Sequence, residues 1–213
     1  MVNSTTITAI TPAHAASAAS VLVTTATGTN VANSLFTYAA TTTTALASSV
    51  NPSVFGQSVT FTATVTGSSG TPSGTITFKN GLTTLGTGTL NGSGVATFSI
   101  SSLPVGSTYS ITAEYGGDVN FVTSTSSAVN QVVNQASSAT ALASSVNPSV
   151  FGESVTYTAT VAATAPGAGT ATGSVEFFDG QTSLGIVTLS SGFATSAAIT
   201  NFGVSTHSIT AVY

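Results

Sequence analysis

The stretch ALASSVNPSVFGQSVTFTATV, from Ala45 to Val65, returns as ALASSVNPSVFGESVTYTATV from Ala141 to Val161. Two positions differ, Gln57 against Glu153 and Phe61 against Tyr157. The 96-residue spacing is the size of one small domain and exceeds the roughly 20 to 50 residues of a solenoid unit. Whatever the stretch folds into, the chain forms it twice in tandem. Val59, Phe61, Ala63 and Val65 alternate with Thr60, Thr62 and Thr64, the period of a strand with one buried and one wet face. Asn51-Pro52 and the Gly56 turn precede this row, so a short strand, a corner and a longer strand are expected.

The alternation matters because little else in the chain can hold a fold together. Charged residues make up 3% of the 213, against about a quarter in an ordinary domain, and Lys79 is the single Lys or Arg. With a net charge of −4, attraction to nucleic acid or anionic lipid has almost no source. The 41% apolar content with regular alternation argues for folded β structure rather than disorder. There is no cysteine, which removes disulfides and thiolate metal sites. The first twenty residues lack a basic segment followed by an apolar run, so no signal peptide is read, and no run of about 18 apolar residues suggests a membrane span.

Residues 1–40 stand outside the repeat and hold three strand candidates, Thr5 to Ile10, Ser20 to Thr25 and Leu35 to Ala39. TITAITPAHAA followed by VLVTTATGTNVANSLFTY resembles the C-terminal half of a TIG domain, which implies a partial immunoglobulin-like sandwich. Residues 41–135 form the first full repeat. Strands are expected at Gly74 to Asn80, Leu82 to Leu90, Ala96 to Ile100, Thr108 to Tyr115 and Phe121 to Val133. Seven or so short strands separated by turn residues indicate an all-β Greek-key sandwich. Residues 136–213 form the second repeat, with Val175, Phe177, Leu184, Leu189, Ile209 and Tyr213 at the core positions of Ile76, Phe78, Leu85, Leu90, Ile111 and Tyr115. Nothing there corresponds to GGDVNFVTSTSSAVNQVV, so its last strand is expected to be missing.

NPSVFGQSVTFTATV, SGTITFKNG, TLGTGTL and YSITAEYGGD, in that order, resemble the group-3 bacterial immunoglobulin-like repeat. The second copy keeps the order as NPSVFGESVTYTATV, TGSVEFFDG, SLGIVTL and HSITAVY. The resemblance implies tandem immunoglobulin-like β-sandwiches of the kind strung together on bacterial surface proteins, adhesins and some phage structural proteins.

Candidate chemistry is sparse. His14 reads as a turn residue, and His207, at the position of Tyr109, as a half-buried strand residue; catalysis or metal binding would need them to converge with other groups. Glu114, Asp118, Glu153, Glu176 and Asp179 are the whole acidic inventory, short of a calcium site unless Asp118 met Glu153. Asp118 and Asp179 are expected to shape turns. Gly86-Thr87-Gly88 and Gly92-Ser93-Gly94 have no following helix to make a phosphate loop and read as hairpin turns. Phe55 and Phe151, within NPSVFG, are expected in core or interface packing. No catalytic, cofactor-binding or metal-binding residue is assigned, and no cofactor is expected.

The expected function is therefore a non-catalytic structural or adhesive spacer of a secreted or cell-surface bacterial protein, with neighbouring Ig-like domains as its partners. The alternatives are a recognition module for carbohydrate or host protein, using the divergent loop Ala162 to Thr172, or a decoration on a phage structural protein. Neither nucleic acid nor membrane insertion is expected.

Overall fold

The computed structural model describes residues 39–106 and 108–213, together with the backbone of four short strands before them. Those four are β1 (Ala18–Val21), β2 (Thr24–Thr25), β3 (Gly28–Thr29) and β4 (Asn33–Thr37), paired antiparallel as β1 with β4 and β2 with β3. The expected strand at Thr5 to Ile10, the corner around Pro12 and His14 lie outside the described residues.

The first repeat contributes β5 (Thr42–Ser48), β6 (Ser53–Val54), β7 (Val59–Gly67), β8 (Thr75–Asn80), β9 (Thr83–Thr89), β10 (Val95–Ile100), β11 (Thr108–Tyr115), β12 (Ser124–Thr125) and β13 (Val129–Asn134). The second contributes β14 (Ser138–Ser144), β15 (Tyr157–Ala163), β16 (Ser174–Asp179), β17 (Thr182–Thr188), β18 (Phe193–Thr195) and β19 (Ile209–Val212). The described residues contain no helix. In the first repeat the sheets run β10-β7-β5 and β6-β13-β11-β8-β9, with β12 also against β11; in the second they run β14-β15-β18 and β17-β16-β19. The chain divides into two compact units. Thr60–Ser99, Thr108–Gln131 and the residues up to Val50 belong to one; Asn51–Val59, Ile100–Ser107 and Val132–Tyr213 belong to the other.

The two-residue period decides which faces meet. Val59, Phe61, Ala63 and Val65 on β7 are buried, as are Ile76 and Phe78 on β8 and Tyr109, Ile111, Ala113 and Tyr115 on β11. The intervening threonines of β7 point outward, where Thr60 Oγ1 lies 2.8 Å from Ser99 Oγ. On the inward side of β5, Thr42 Oγ1 and Thr44 Oγ1 each lie 2.7 Å from Ser124 Oγ. In the second repeat Val155, Tyr157, Ala159, Val161, Val175, Phe177 and Ala194 form the corresponding core.

Three expectations need correction. Phe121 to Val133 is not one strand: Ala113 N–H donates to Ser126 Oγ and Ser126 N–H donates to Ala113 O, both at 3.0 Å. The serine hydroxyl stands in for a main-chain carbonyl there, and the pairing is interrupted between β12 and β13. Gly86-Thr87-Gly88 is not a turn but lies within β9, because the Phe98 ring packs over the α-carbon of Gly86 and stacks on Phe78 at 5.5 Å between centroids. Gly92-Ser93-Gly94 is a turn, with Gly94 at φ 72° and Asn91 Oδ1 accepting from Ser93 N–H and Val95 N–H. Finally, Tyr213 is 50% exposed although Tyr115 is buried, because β12 pairs with β11 at Tyr115 and no equivalent strand flanks Tyr213. Leu184, Leu189 and Ile209 pack only partly buried against their core.

Truncating an inward aromatic removes both buried area and its neighbours' contacts. Phe61→Ala and Phe78→Ala should each cost about 3 to 5 kcal/mol and Thr62→Ala less than ~1 kcal/mol, measured by urea titration of the purified chain. Equal midpoints for the three variants would refute the assigned faces.

Candidate functional site

A polar cluster that joins a histidine, an aspartate and a serine sits at one end of the second repeat. Asp179 closes β16 and Gly180 turns the chain, while the segment from Asn201 to Thr206 leads into β19. Antiparallel pairing sets Ile209 opposite Asp179, and His207 lies two residues upstream on the same face. His207 Nδ1 is 2.6 Å from Asp179 Oδ2, and its Nε2 is 3.0 Å from Gly203 O and 3.2 Å from Ser205 Oγ. Phe202 lies against the imidazole with ring centroids 4.5 Å apart and meets Tyr157 edge-on at 6.2 Å.

Serine, histidine and aspartate thus follow one another in the order of a hydrolytic triad, but the proton bookkeeping is wrong for one. A triad base must present an unprotonated Nε2 to the serine hydroxyl. Here the Gly203 carbonyl, an acceptor only, faces Nε2 and calls for a proton on it. Asp179 calls for a second on Nδ1, so the surroundings favour the charged form of the ring. The Gly203 carbonyl, followed by Asp179, raises the His207 pKa above its ordinary value. The arrangement is a clasp that fastens the 201–206 segment to the end of β16. His207 is half-buried as expected but precedes its strand, and Asp179 pairs with it instead of shaping a turn. The pair could have been read from the aligned copies, since Asp179 takes the place of Asn80, which faces Ile111 across β8 and β11.

The other carboxylates are engaged locally. Asp118 does shape its turn: it accepts from Ser73 Oγ at 2.7 Å, Ser73 N–H at 3.1 Å, Asn120 N–H at 2.7 Å and Phe121 N–H at 3.0 Å. The Ser73 hydroxyl first, then these backbone donors, pull its pKa down to about 2. Glu153 Oε2 accepts from Val150 N–H at 2.9 Å, just as Gln57 Oε1 accepts from Val54 N–H at 3.0 Å, which explains why the two residues interchange. Glu176 accepts from Ser183 Oγ, and Glu114 pairs with Lys79 at 2.5 Å. Among the described residues no three His, Asp or Glu side chains gather as a metal site would require. Among the described residues no helix is long and apolar enough to cross a membrane.

The NPSVFG aromatics part company. Within the second compact unit Phe55 O accepts from Ala168 N–H at 3.1 Å, and its ring covers Gly169, whose φ of 119° suits glycine. Phe151, at the equivalent position, is 76% exposed. It borders a cleft of about 570 Å³ walled by Leu142, Val146, Tyr157, Phe202 and Ile209.

The two titrating groups pull in opposite directions with pH. His207 has a raised pKa in the fold, so its stabilising contribution is complete below about 6.5 and is lost as pH rises through the folded value. Melting of the second repeat should therefore fall as pH rises above about 6.5, and His207→Gln should abolish that slope. Asp118 has a lowered pKa, so its contribution is complete above 3.8 and lost as pH falls through about 2. Asp118→Asn should flatten the acid limb of the melting curve; retention of either slope in its variant would remove the assigned group.

No curated protein is detectably similar to the chain. The model of the bacterial Ig-like domain (group 3) family matches residues 46–134 and again 142–213, which together make up most of the sequence. Two matches in tandem, on two sandwiches with the same inward rows, place the chain in that family: it is a member of the bacterial Ig-like domains of group 3.

Proposed function

We propose that this chain is a non-catalytic spacer, carried on a secreted or surface-attached bacterial protein, whose repeats bear mechanical load and hold neighbouring modules in place. The observation that carries this reading is the use to which the chain puts its few polar side chains. Asp118, Glu153, Asp179 and His207 are each committed to fastening a loop or turn of their own sandwich, and the second copy repeats the framework of the first. The recognition alternative placed its binding surface on the loop from Ala162 to Thr172. Ala168 and Gly169 of that loop are packed against Phe55, which leaves it less surface for a ligand.

Single-molecule pulling tests the spacer reading. Unfolding of the first repeat, residues 46–134, should appear as one resolved force peak that lengthens the chain by roughly 300 Å, at about 3.4 Å per residue. Extension without a force peak would sink it. In parallel, an ester panel should be hydrolysed no faster than by the Ser205→Ala variant; a rate that disappears with Ser205 would replace the spacer with an enzyme.

A further inference from the structure

Asparagine is followed by glycine twice in the chain, at Asn80-Gly81 and at Asn91-Gly92, and the fold treats the two pairs differently. The pairing matters because the side-chain amide carbon of an asparagine can close a ring onto the main-chain nitrogen of the next residue, which covalent linkage already holds nearby. Glycine leaves that nitrogen uncovered, since it has no β-carbon.

Asn80 ends β8, and β11 ties down both groups that would react. Its Oδ1 accepts from Ser110 N–H at 3.1 Å, and Gly81 N–H donates to Ser110 O, also at 3.1 Å. The Gly81 nitrogen is held until that pairing opens. The second repeat keeps Asp179-Gly180 in the same way, with Gly180 N–H donating to Ser208 O at 3.0 Å.

Asn91 stands in the turn from β9 to β10, exposed together with Gly92 and Ser93. Its own N–H donates to Val95 O and its O accepts from Gly94 N–H, both at 2.9 Å, so the main chain of the turn is fixed. Among the described residues nothing accepts from Gly92 N–H, and no atom beyond its chain neighbours lies within 4 Å of where a β-carbon on Gly92 would stand. The Asn91 Oδ1, meanwhile, takes Ser93 N–H at 2.9 Å and Val95 N–H at 3.1 Å. Two main-chain donors on one carbonyl oxygen draw electrons from its carbon and stabilise charge that develops on the oxygen, as an oxyanion hole does. The turn thus combines an activated carbon, a free nitrogen and open solvent. In the second repeat Ser190 and Ser191 fill the corresponding turn and bring no amide to it.

We propose that Asn91 is a self-modification site, at which the Gly92 nitrogen displaces the side-chain amide as ammonia. Solvent base takes the Gly92 N–H proton, the nitrogen bonds to Cγ of Asn91, and the Cγ–Nδ2 bond breaks as Nδ2 picks up a proton and leaves. Water then opens the cyclic imide. Breaking the bond from Cγ to nitrogen gives aspartate, and breaking the bond from the main-chain carbonyl carbon to nitrogen gives isoaspartate. Aspartate keeps an oxygen for Ser93 N–H and Val95 N–H, much as Glu153 keeps one for Val150 N–H, whereas isoaspartate lengthens the main chain within the turn. Either product adds a negative charge to a chain that carries few, so its charge records its age.

The test holds the purified full chain in mildly alkaline buffer, native and in urea, and follows the peptides containing Asn80 and Asn91 by mass spectrometry. In the native chain Asn91 should convert at least as fast as in urea, and Asn80 about tenfold more slowly than Asn91, the factor set by the hydrogen bond that must open. In urea the two rates should converge. Gly92→Ala, whose added methyl group meets no neighbour, should fold normally, slow the conversion of Asn91 and leave that of Asn80 unchanged. The proposal falls if native Asn91 converts more slowly than unfolded Asn91, if Asn80 keeps pace with it in the native chain, or if Gly92→Ala leaves its rate unchanged.

Discussion

With 3% charged side chains and no cysteine, this chain has neither ion-pair networks nor covalent staples to draw on, so inward burial has to carry the fold. Each fully buried large apolar side chain contributes about 1.5 to 3 kcal/mol, whereas the partly exposed Lys79–Glu114 pair contributes at most about 1 kcal/mol. Phe61, Ile76, Phe78, Ile111 and Tyr115, all at or below 1% exposure, therefore outweigh the surface electrostatics several times over. The same row in the second repeat is less well covered, and its aromatic at the Phe61 position, Tyr157, is the one that borders the cleft.

Much of this was legible in the linear sequence because strand periodicity is a local property. Val59 to Val65 and Tyr109 to Tyr115 announce their faces by alternation, and the near-identity of the copies transfers each assignment by simple alignment. The misreadings have a common origin in contacts made at long range. The interruption at Ser126 depends on Ala113 across the sheet, and Gly86 is a mid-strand glycine because Phe98 needs its space. Tyr213 matches Tyr115 in type and position yet differs in exposure, because burial belongs to the neighbour and not to the residue.

The His207–Asp179 clasp shows how composition can mislead in the other direction. Residues of hydrolytic type meet at hydrogen-bonding distance, but an extra carbonyl facing Nε2 favours a proton where a triad base would need none. The identity of the third partner, here Gly203 O, decides between chemistry and fastening. Neither the spacing of Asp179 and His207 nor their types carries that information. The Gln57 and Glu153 exchange makes the complementary point: a change of formal charge is silent where only one accepting oxygen is used.

The hydroxyl contacts of Thr42 and Thr44 with Ser124, and of Thr60 with Ser99, join strands without any net charge on either side. Dissolved ions screen charges over about 10 Å at 0.1 M salt, and they have little to screen on such a surface. The uncharged hydrogen bonds on the exterior of these sandwiches thus hold much the same in dilute and in concentrated salt.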